Sequence, residues 1–267
     1  MSIRPTALVT GPTAGIGRAF AELLASEGYD LILVSRDQSR LAALAAELGG
    51  RFGISCEVLA ADLSDRSQLA RVESRLADSS QPVDVLVNNA GFGVNQRFAG
   101  GDLAAEQYLL DVLAVAVMRL SHAAVAGMRD RGRGDVVVVS SVAGFIAGST
   151  YSAVKAWATV FAESLNNELR GSGVRVSALC PGFTRTEFHT RANLEMGWLP
   201  SFMWLLPDAL VAKGWRDHRR GRVVSVPGWQ YRFLVGLIRV VPRGAVRRLG
   251  FRARHGRDGR GPAVDRD

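Results

Sequence analysis

Seven short apolar runs dominate this chain: TALVT (6–10), LILVS (31–35), CEVLAAD (56–62), VDVLVNNAG (83–91), DVVVVSS (135–141), VRVSALCPG (174–182) and VVSVP (223–227). Their Val, Leu and Ile residues are consecutive, not alternating. That is the pattern of strands buried on both faces. Helix-type stretches separate them: 16–27, QSRLAALAAELG, SQLARVESRLAD, a long one through Leu110 and Met118, and one carrying Lys155. Strand–helix alternation predicts an α/β fold, a doubly wound, mainly seven-stranded parallel sheet with helices on both faces and right-handed crossovers. Such sheets bind ligands outside the carboxyl ends of their strands. Chemistry is therefore expected in the residues that follow each run.

The 267 residues, 48% hydrophobic and 22% charged, suit one globular domain over 1–251 with an Arg/Gly/Asp-rich, disordered tail at 252–267. Cys56 and Cys180 lie far apart with no metal-type spacing, so neither a disulfide framework nor a metal is expected. There is no secretory leader pattern, and no apolar run approaches the roughly 20 residues of a spanning helix. A cytoplasmic location is the expectation. The net charge of +8 is uneven: from Lys213 to Arg260 there are fourteen Lys and Arg against Asp217 and Asp258, a local +12 that leaves −4 for the rest. That argues against a nucleic-acid surface on the main body.

After the first run comes Thr10-Gly11-Pro12-Thr13-Ala14-Gly15-Ile16-Gly17, then a helix. Glycines there permit a tight turn and let backbone N–H groups approach a diphosphate at the helix N-terminus. Incidental glycines in a strand-to-helix turn are the plainer reading; its position after the first strand of such a sheet favours the nucleotide. After the second strand, an acid would hold the ribose 2′-OH of NAD and an Arg the 2′-phosphate of NADP. The first polar position past Ser35 is Arg36, with Asp37 expected to point away and Arg40 nearby. NADP (NADPH) is thus expected over NAD.

Tyr151 and Lys155 stand four apart beyond the fifth strand, on one helix face. A phenol titrates near 10, and an adjacent ammonium lowers that value toward general acid/base work. Lysine is scarce: among 33 Lys and Arg only Lys155 and Lys213 are lysine. Ser140 and Ser141 precede the pair, and as strand neighbours they point to opposite faces.

The order Thr-Gly-x-x-x-Gly-x-Gly, Asn88-Asn89-Ala90-Gly91, Tyr151-Ser152-Ala153-Val154-Lys155 and Pro181-Gly182 with Thr186 resembles the short-chain dehydrogenase/reductase family over about residues 5–228. The resemblance implies catalytic roles for Tyr151, Lys155 and Ser141, the last on the substrate oxygen. It implies cofactor contacts from Gly11, Thr13, Gly15, Ile16, Gly17, Arg36, Asp62, Asn89, Ala90, Gly91, Tyr151, Lys155, Pro181, Gly182, Thr184 and Thr186. Asp62 resembles the adenine-contacting acid; its plainer role is the N-cap of the next helix, and both can hold. A homodimer or homotetramer through the helices after the fourth and fifth strands is implied too. Two departures stand out. Ser141 precedes Tyr151 by ten residues, a shorter loop than the family's usual one, with Gly144 and Gly148 available to close it. Leu113 occupies the place of a usual Asn that holds a water for proton relay, so weakened proton resupply is expected.

Residues 187–222 include Phe188, Met196, Trp198, Leu199, Phe202, Met203, Trp204 and Leu205. They read equally as an apolar lid over the substrate or as a helix packed on the core. Residues 229–251 read as basic amphipathic helices, with Arg232, Arg239, Arg243, Arg247 and Arg248 beside Trp229, Phe233, Leu234, Leu237 and Ile238. Such helices lie on anionic membranes, cover subunit interfaces or form solvated faces. The resulting expectation is an NADP-dependent oxidoreductase of a hydrophobic carbonyl or alcohol, such as a 3-ketoacyl chain or a sterol. The competing class is an NADP(H)-binding sensor or scaffold with little catalysis.

Overall fold

The computed structural model describes residues 4–187, 200–242 and 244. The expectations for Phe188, Met196, Trp198, Leu199, Arg243, Arg247, Arg248 and the 252–267 tail lie outside the described residues. Seven parallel strands form one sheet: β1 (Thr6–Thr10), β2 (Asp30–Ser35), β3 (Cys56–Ala60), β4 (Val85–Asn88), β5 (Gly134–Val139), β6 (Val174–Leu179) and β7 (Val224–Ser225). Their order is β3-β2-β1-β4-β5-β6-β7, so winding reverses between β1 and β4.

Consecutive strand residues feed two separate cores. Leu8, Ile32, Leu86, Val136, Val138 and Val176 face one side. Val9, Leu31, Leu33, Val87, Val137 and Val139 face the other. The first side is covered by α3 (Arg66–Ala77), α5 (Ala116–Asp130) and α6 (Thr150–Glu168). The second is covered by α1 (Gly15–Ser26), α2 (Gln38–Phe52) and α7 (Pro207–Arg219). A short α4 (Leu103–Leu110) and a last helix, α8 (Trp229–Val240), lie nearer the strand ends.

The long helix expected through Leu110 and Met118 is broken by one π turn, Asp111–Val115, between α4 and α5. By length and composition alone the stretch Leu103–Asp130 would be long and apolar enough to cross a membrane. It behaves as a core helix. Ala116, Leu120, Ala124 and Met128 are buried against the sheet, and Arg119 pairs with Glu73 on α3.

The helix starts follow local chemistry. Asp37 caps α2, accepting from Arg40 N at 3.0 Å, so its carboxylate faces away from the β2 end as expected. Asp65, not Asp62, caps α3 through Ser67 N and Gln68 N, so the capping role weighed for Asp62 belongs to its neighbour. Asp62 instead accepts from Ser64 N and Oγ within its own turn.

At the opposite end of the sheet a buried polar network ties β5, β6 and α7 together. Ser177 Oγ lies 2.7 Å from His218 Nδ1, and His218 Nε2 lies 2.8 Å from Asp135 Oδ1. Arg175 donates to both Asp135 oxygens at 2.7 and 3.0 Å. Burial alone would raise the Asp135 carboxyl, but the bonds from His218 and Arg175 outweigh it and hold it below the usual carboxylate range. Its contribution is therefore fully present above the unfolded value near 4 and fades as pH falls below that. We expect Asp135→Asn to cost about 3 kcal/mol in urea unfolding at neutral pH and to flatten the acid limb of the stability profile. Unchanged unfolding midpoints would contradict the assignment.

Candidate active site

The carboxyl ends of β1 and β4 diverge, and Thr10 and Asn89 bridge the gap. Thr10 Oγ1 donates to Val87 O at 3.3 Å and accepts from Asn89 N and Ala90 N, each at 2.9 Å. Asn89 Nδ2 donates to Thr10 O at 2.9 Å and Gly11 O at 3.1 Å. The Gly-rich turn is thus held from the neighbouring strand. Gly11 and Gly15 adopt φ of +65° and +56°, where a side chain is strained. Gly17 has no room for one: a Cβ would sit 2.1 Å from Gly11 O and 2.3 Å from Asn89 Nδ2. Ile16 packs into the second core beneath the turn.

At the end of β2, Arg36 Nη1 donates to the Tyr108 hydroxyl at 2.6 Å, its guanidinium 6.0 Å from the ring centroid. Tyr108 comes from α4. Arg40 Nη2 donates to Thr13 O at 3.1 Å. The Ser35 hydroxyl is buried without a hydrogen-bond partner.

Past β5 the two serines part as their strand parity requires. Ser140 Oγ donates to Lys155 O at 2.6 Å and lies 2.8 Å from Thr159 Oγ1, binding strand to helix. Ser141 caps a 3-10 turn, Val142–Phe145, accepting from Ala143 N, and its hydroxyl hydrogen-bonds Tyr151. The shortened loop therefore still closes. Gly144 makes this possible: a Cβ there would lie 2.8 Å from Ala156 N and Lys155 C, so the loop rests on the α6 backbone. Ser149 caps α6.

The Tyr–Lys electrostatics differ from expectation. Burial pushes the Tyr151 phenol up to about 12, with the Ser141 bond opposing it. Burial likewise brings Lys155 down to about 8. The ammonium donates to Val139 O at 2.7 Å and sits 5.7 Å from the Tyr151 ring centroid. Desolvation outweighs the ammonium's pull on the phenol. Leu113, in the π turn, is buried with Leu109, Val112 and Val154, and Tyr151 packs against that cluster. Gly91 faces Leu113: a Cβ there would lie 3.6 Å from its side chain.

After β6, Pro181 O accepts from Val142 N at 2.9 Å, joining this end to the serine loop. The chain then folds back so that Thr186 reaches the nucleotide turn, 2.8 Å from a Cβ at Gly15. Thr184 is buried, its hydroxyl donating to Gly182 O at 3.0 Å. Gly182 lies flat against Tyr231 of α8, where a Cβ would lie 2.2 Å from the ring. Phe183 N donates to the Tyr231 hydroxyl, which donates to Met203 O. Of the described lid residues, Trp204 meets Phe183, Leu205 packs on the second core, and Phe202 is exposed.

The short chain dehydrogenase family profile matches residues 5–197. The chain belongs to the short-chain dehydrogenases. Members of this family are NAD(P)-dependent oxidoreductases of alcohol and carbonyl groups, and so is this one. The ketoacyl reductase HetN of Nostoc is 36% identical over 183 residues, which span 67% of this chain and 63% of that protein. A short-chain dehydrogenase from Sphingobium yanoikuyae, solved with NADPH, is 32% identical with a TM-score of 0.81, covering 98% of both chains. A bulky-bulky ketone specific alcohol dehydrogenase from Comamonas testosteroni is 28% identical with a TM-score of 0.76, covering 98% of this chain and 97% of that one.

Sequence reasoning passed over three residues of this short-chain dehydrogenase site. Thr10 entered only as the first residue of the Gly-rich motif, with no role for its side chain, although a hydroxyl ahead of the first glycine is a signal of a local backbone bond. Tyr108 and Tyr231 act across the fold, and no local spacing reveals them. Gly17 provides a test of the clamp. Because backbone lines the missing Cβ space, Gly17→Ala should cost about 2 kcal/mol in thermal or urea unfolding, while Gly50→Ala, on the exposed face of α2, should be neutral or stabilising. Equal effects would refute the packing argument.

Proposed function

We propose that this short-chain dehydrogenase transfers hydride between NADP(H) and the carbonyl or alcohol carbon of a hydrophobic substrate, with Tyr151 moving the proton. The observation that carries this is the Tyr151 hydroxyl bonded to Ser141 and one helical turn from Lys155, at the carboxyl end of β5. The residues fit the cofactor: a turn with Gly11 and Gly15 at positive φ opening onto the α1 N-terminus, a buried Ser35 hydroxyl without partner, and Arg36 beside it. The turn at Gly11–Gly17 would hold the diphosphate, Arg36 and Ser35 the 2′-phosphate, and Asp62, Asn89, Ala90 and Gly91 the adenosine side. Thr186, with the Pro181–Thr184 turn, would border the nicotinamide end. NADPH, when bound, supplies the hydride.

Ser141 donates to the substrate oxygen, where negative charge builds as the carbonyl is reduced, and Tyr151 donates its proton to that oxygen. A phenol pushed up to about 12 keeps its proton throughout the physiological range and so stands ready to donate it. Lys155 supplies a positive charge beneath the site. A bulky, hydrophobic ketone is the substrate class proposed, as for the bulky-bulky ketone specific relative from Comamonas testosteroni. Exposed Leu110 and Met118 on the α4–α5 stretch and Val160 on α6 suit a homodimer or homotetramer.

A panel of ketones with NADPH tests this reading. Tyr151→Phe should lower kcat by about 10²- to 10⁴-fold while NADPH affinity stays within about threefold. In the intact enzyme kcat/KM for reduction should fall above about pH 8 as Lys155 loses its charge; a flat profile to alkaline pH would contradict that role. The second reading, an NADP(H) sensor, is favoured by Leu113 alone. Tight NADPH binding without turnover of any ketone would support it. Arg36→Ala should weaken NADPH about 10- to 100-fold and NADH little, since one charge-assisted phosphate contact is lost. Equal weakening of both would remove the case for NADP.

A further inference from the structure

The last helix presents its apolar side outward. Trp229, Phe233, Leu237 and Val240 follow at spacings of four, four and three, which places them on one face. They are 69%, 73%, 49% and 79% exposed. The buried face of α8 is only Tyr231 and Val235. That face is firmly held: the Tyr231 ring covers Gly182, and its hydroxyl joins Phe183 N at 3.0 Å and Met203 O at 2.5 Å. The exposed strip is therefore part of a fixed element, not a frayed end. It extends past the helix start, where Gln230 Nε2 donates to the carbonyl of Phe202, itself 62% exposed. Exposed apolar patches of this kind mark contact surfaces.

Charge identifies the partner. Arg232 and Arg239 are exposed on one flank of the strip, and Arg239 lies 5.5 Å from the Phe145 ring in the loop between Ser141 and Tyr151. From Arg243 to Arg260 the chain adds seven arginines against the single acid Asp258. A second copy carries the same arginines and offers them no counter-charge. An anionic bilayer accepts both features: acyl chains take the aromatic and aliphatic side chains, and headgroups take the arginines. We propose that α8 docks this enzyme on an anionic membrane surface, lying in the interface with Trp229, Phe233, Leu237 and Val240 entering the acyl boundary.

Co-sedimentation of the full chain with phosphatidylcholine vesicles, with and without phosphatidylglycerol, tests the proposal. The wild type should pellet with the anionic vesicles, and high salt should weaken it. W229S/F233S, and separately F233S/L237S, should bind at least about tenfold less while keeping the wild-type unfolding temperature, since these side chains are exposed. Recovery in the supernatant with both vesicle types would overturn the proposal. So would undiminished binding of both double variants, which would assign attachment to arginine charge alone. Loss of a dimer in W229S/F233S by analytical ultracentrifugation, with no vesicle binding by the wild type, would assign the strip to a second copy.

Discussion

The hydrogen bonds between Asn89 and the Thr10–Gly11 backbone set the geometry of everything above the sheet. They lie where β1 and β4 part, the one place in a doubly wound sheet where neighbouring strands send their connections to opposite faces. Without them the start of the turn would lose its tie to β4 and keep the one to β2, through Gly11 N and Val34 O. With them the turn is held on both sides, and α1 starts at a defined place. The contact works only because Gly17 has no side chain. Backbone conformation, strand divergence and a single amide are thus one constraint.

Fold class was readable because burial on both faces forces unbroken apolar strands, and VVVV in β5 serves two cores at once. The serine parity was readable for the same reason: alternate strand residues oppose one another, so Ser140 went to α6 and Ser141 to the tyrosine. The long helix after β4 was legible in extent but not in its π turn, which depends on packing around Leu113 rather than on any local propensity. The cap of α3 was misplaced by three residues because Asp62 and Asp65 are both competent and only the chain path selects between them. Tyr108 and Tyr231 were invisible for a different reason. Each acts on a residue far away in the chain, Arg36 and Gly182, and pairing at that range leaves no spacing to read.

The tyrosine and lysine show how the same neighbours can produce opposite shifts. Proximity to an ammonium lowers a phenol only when charge attraction exceeds the cost of leaving water. Here both groups are buried, so each is pushed toward its neutral form. The ammonium ends on a single carbonyl, that of Val139. A guanidinium would bring five donors in a plane to a space with that one acceptor, which gives a physical reason for a lysine in a chain that otherwise relies on arginine.

The buried network of Ser177, His218 and Asp135 has a consequence for how sites are recognised. Hydroxyl, imidazole and carboxylate stand in the residue order of a hydrolase relay, but the imidazole is reversed: Ser177 meets Nδ1 and Asp135 meets Nε2, where the relay has Nε2 on the serine and Nδ1 on the acid. A search by residue type and proximity alone would still report a second enzyme here. Yet Ser177 is 3% exposed and His218 2%, Arg175 already engages the carboxylate, and the serine is fixed within β6, a strand paired on both edges. No acyl group could reach it. Similar polar triplets are mortar in one place and machinery in another, and access by a reactant is what separates them.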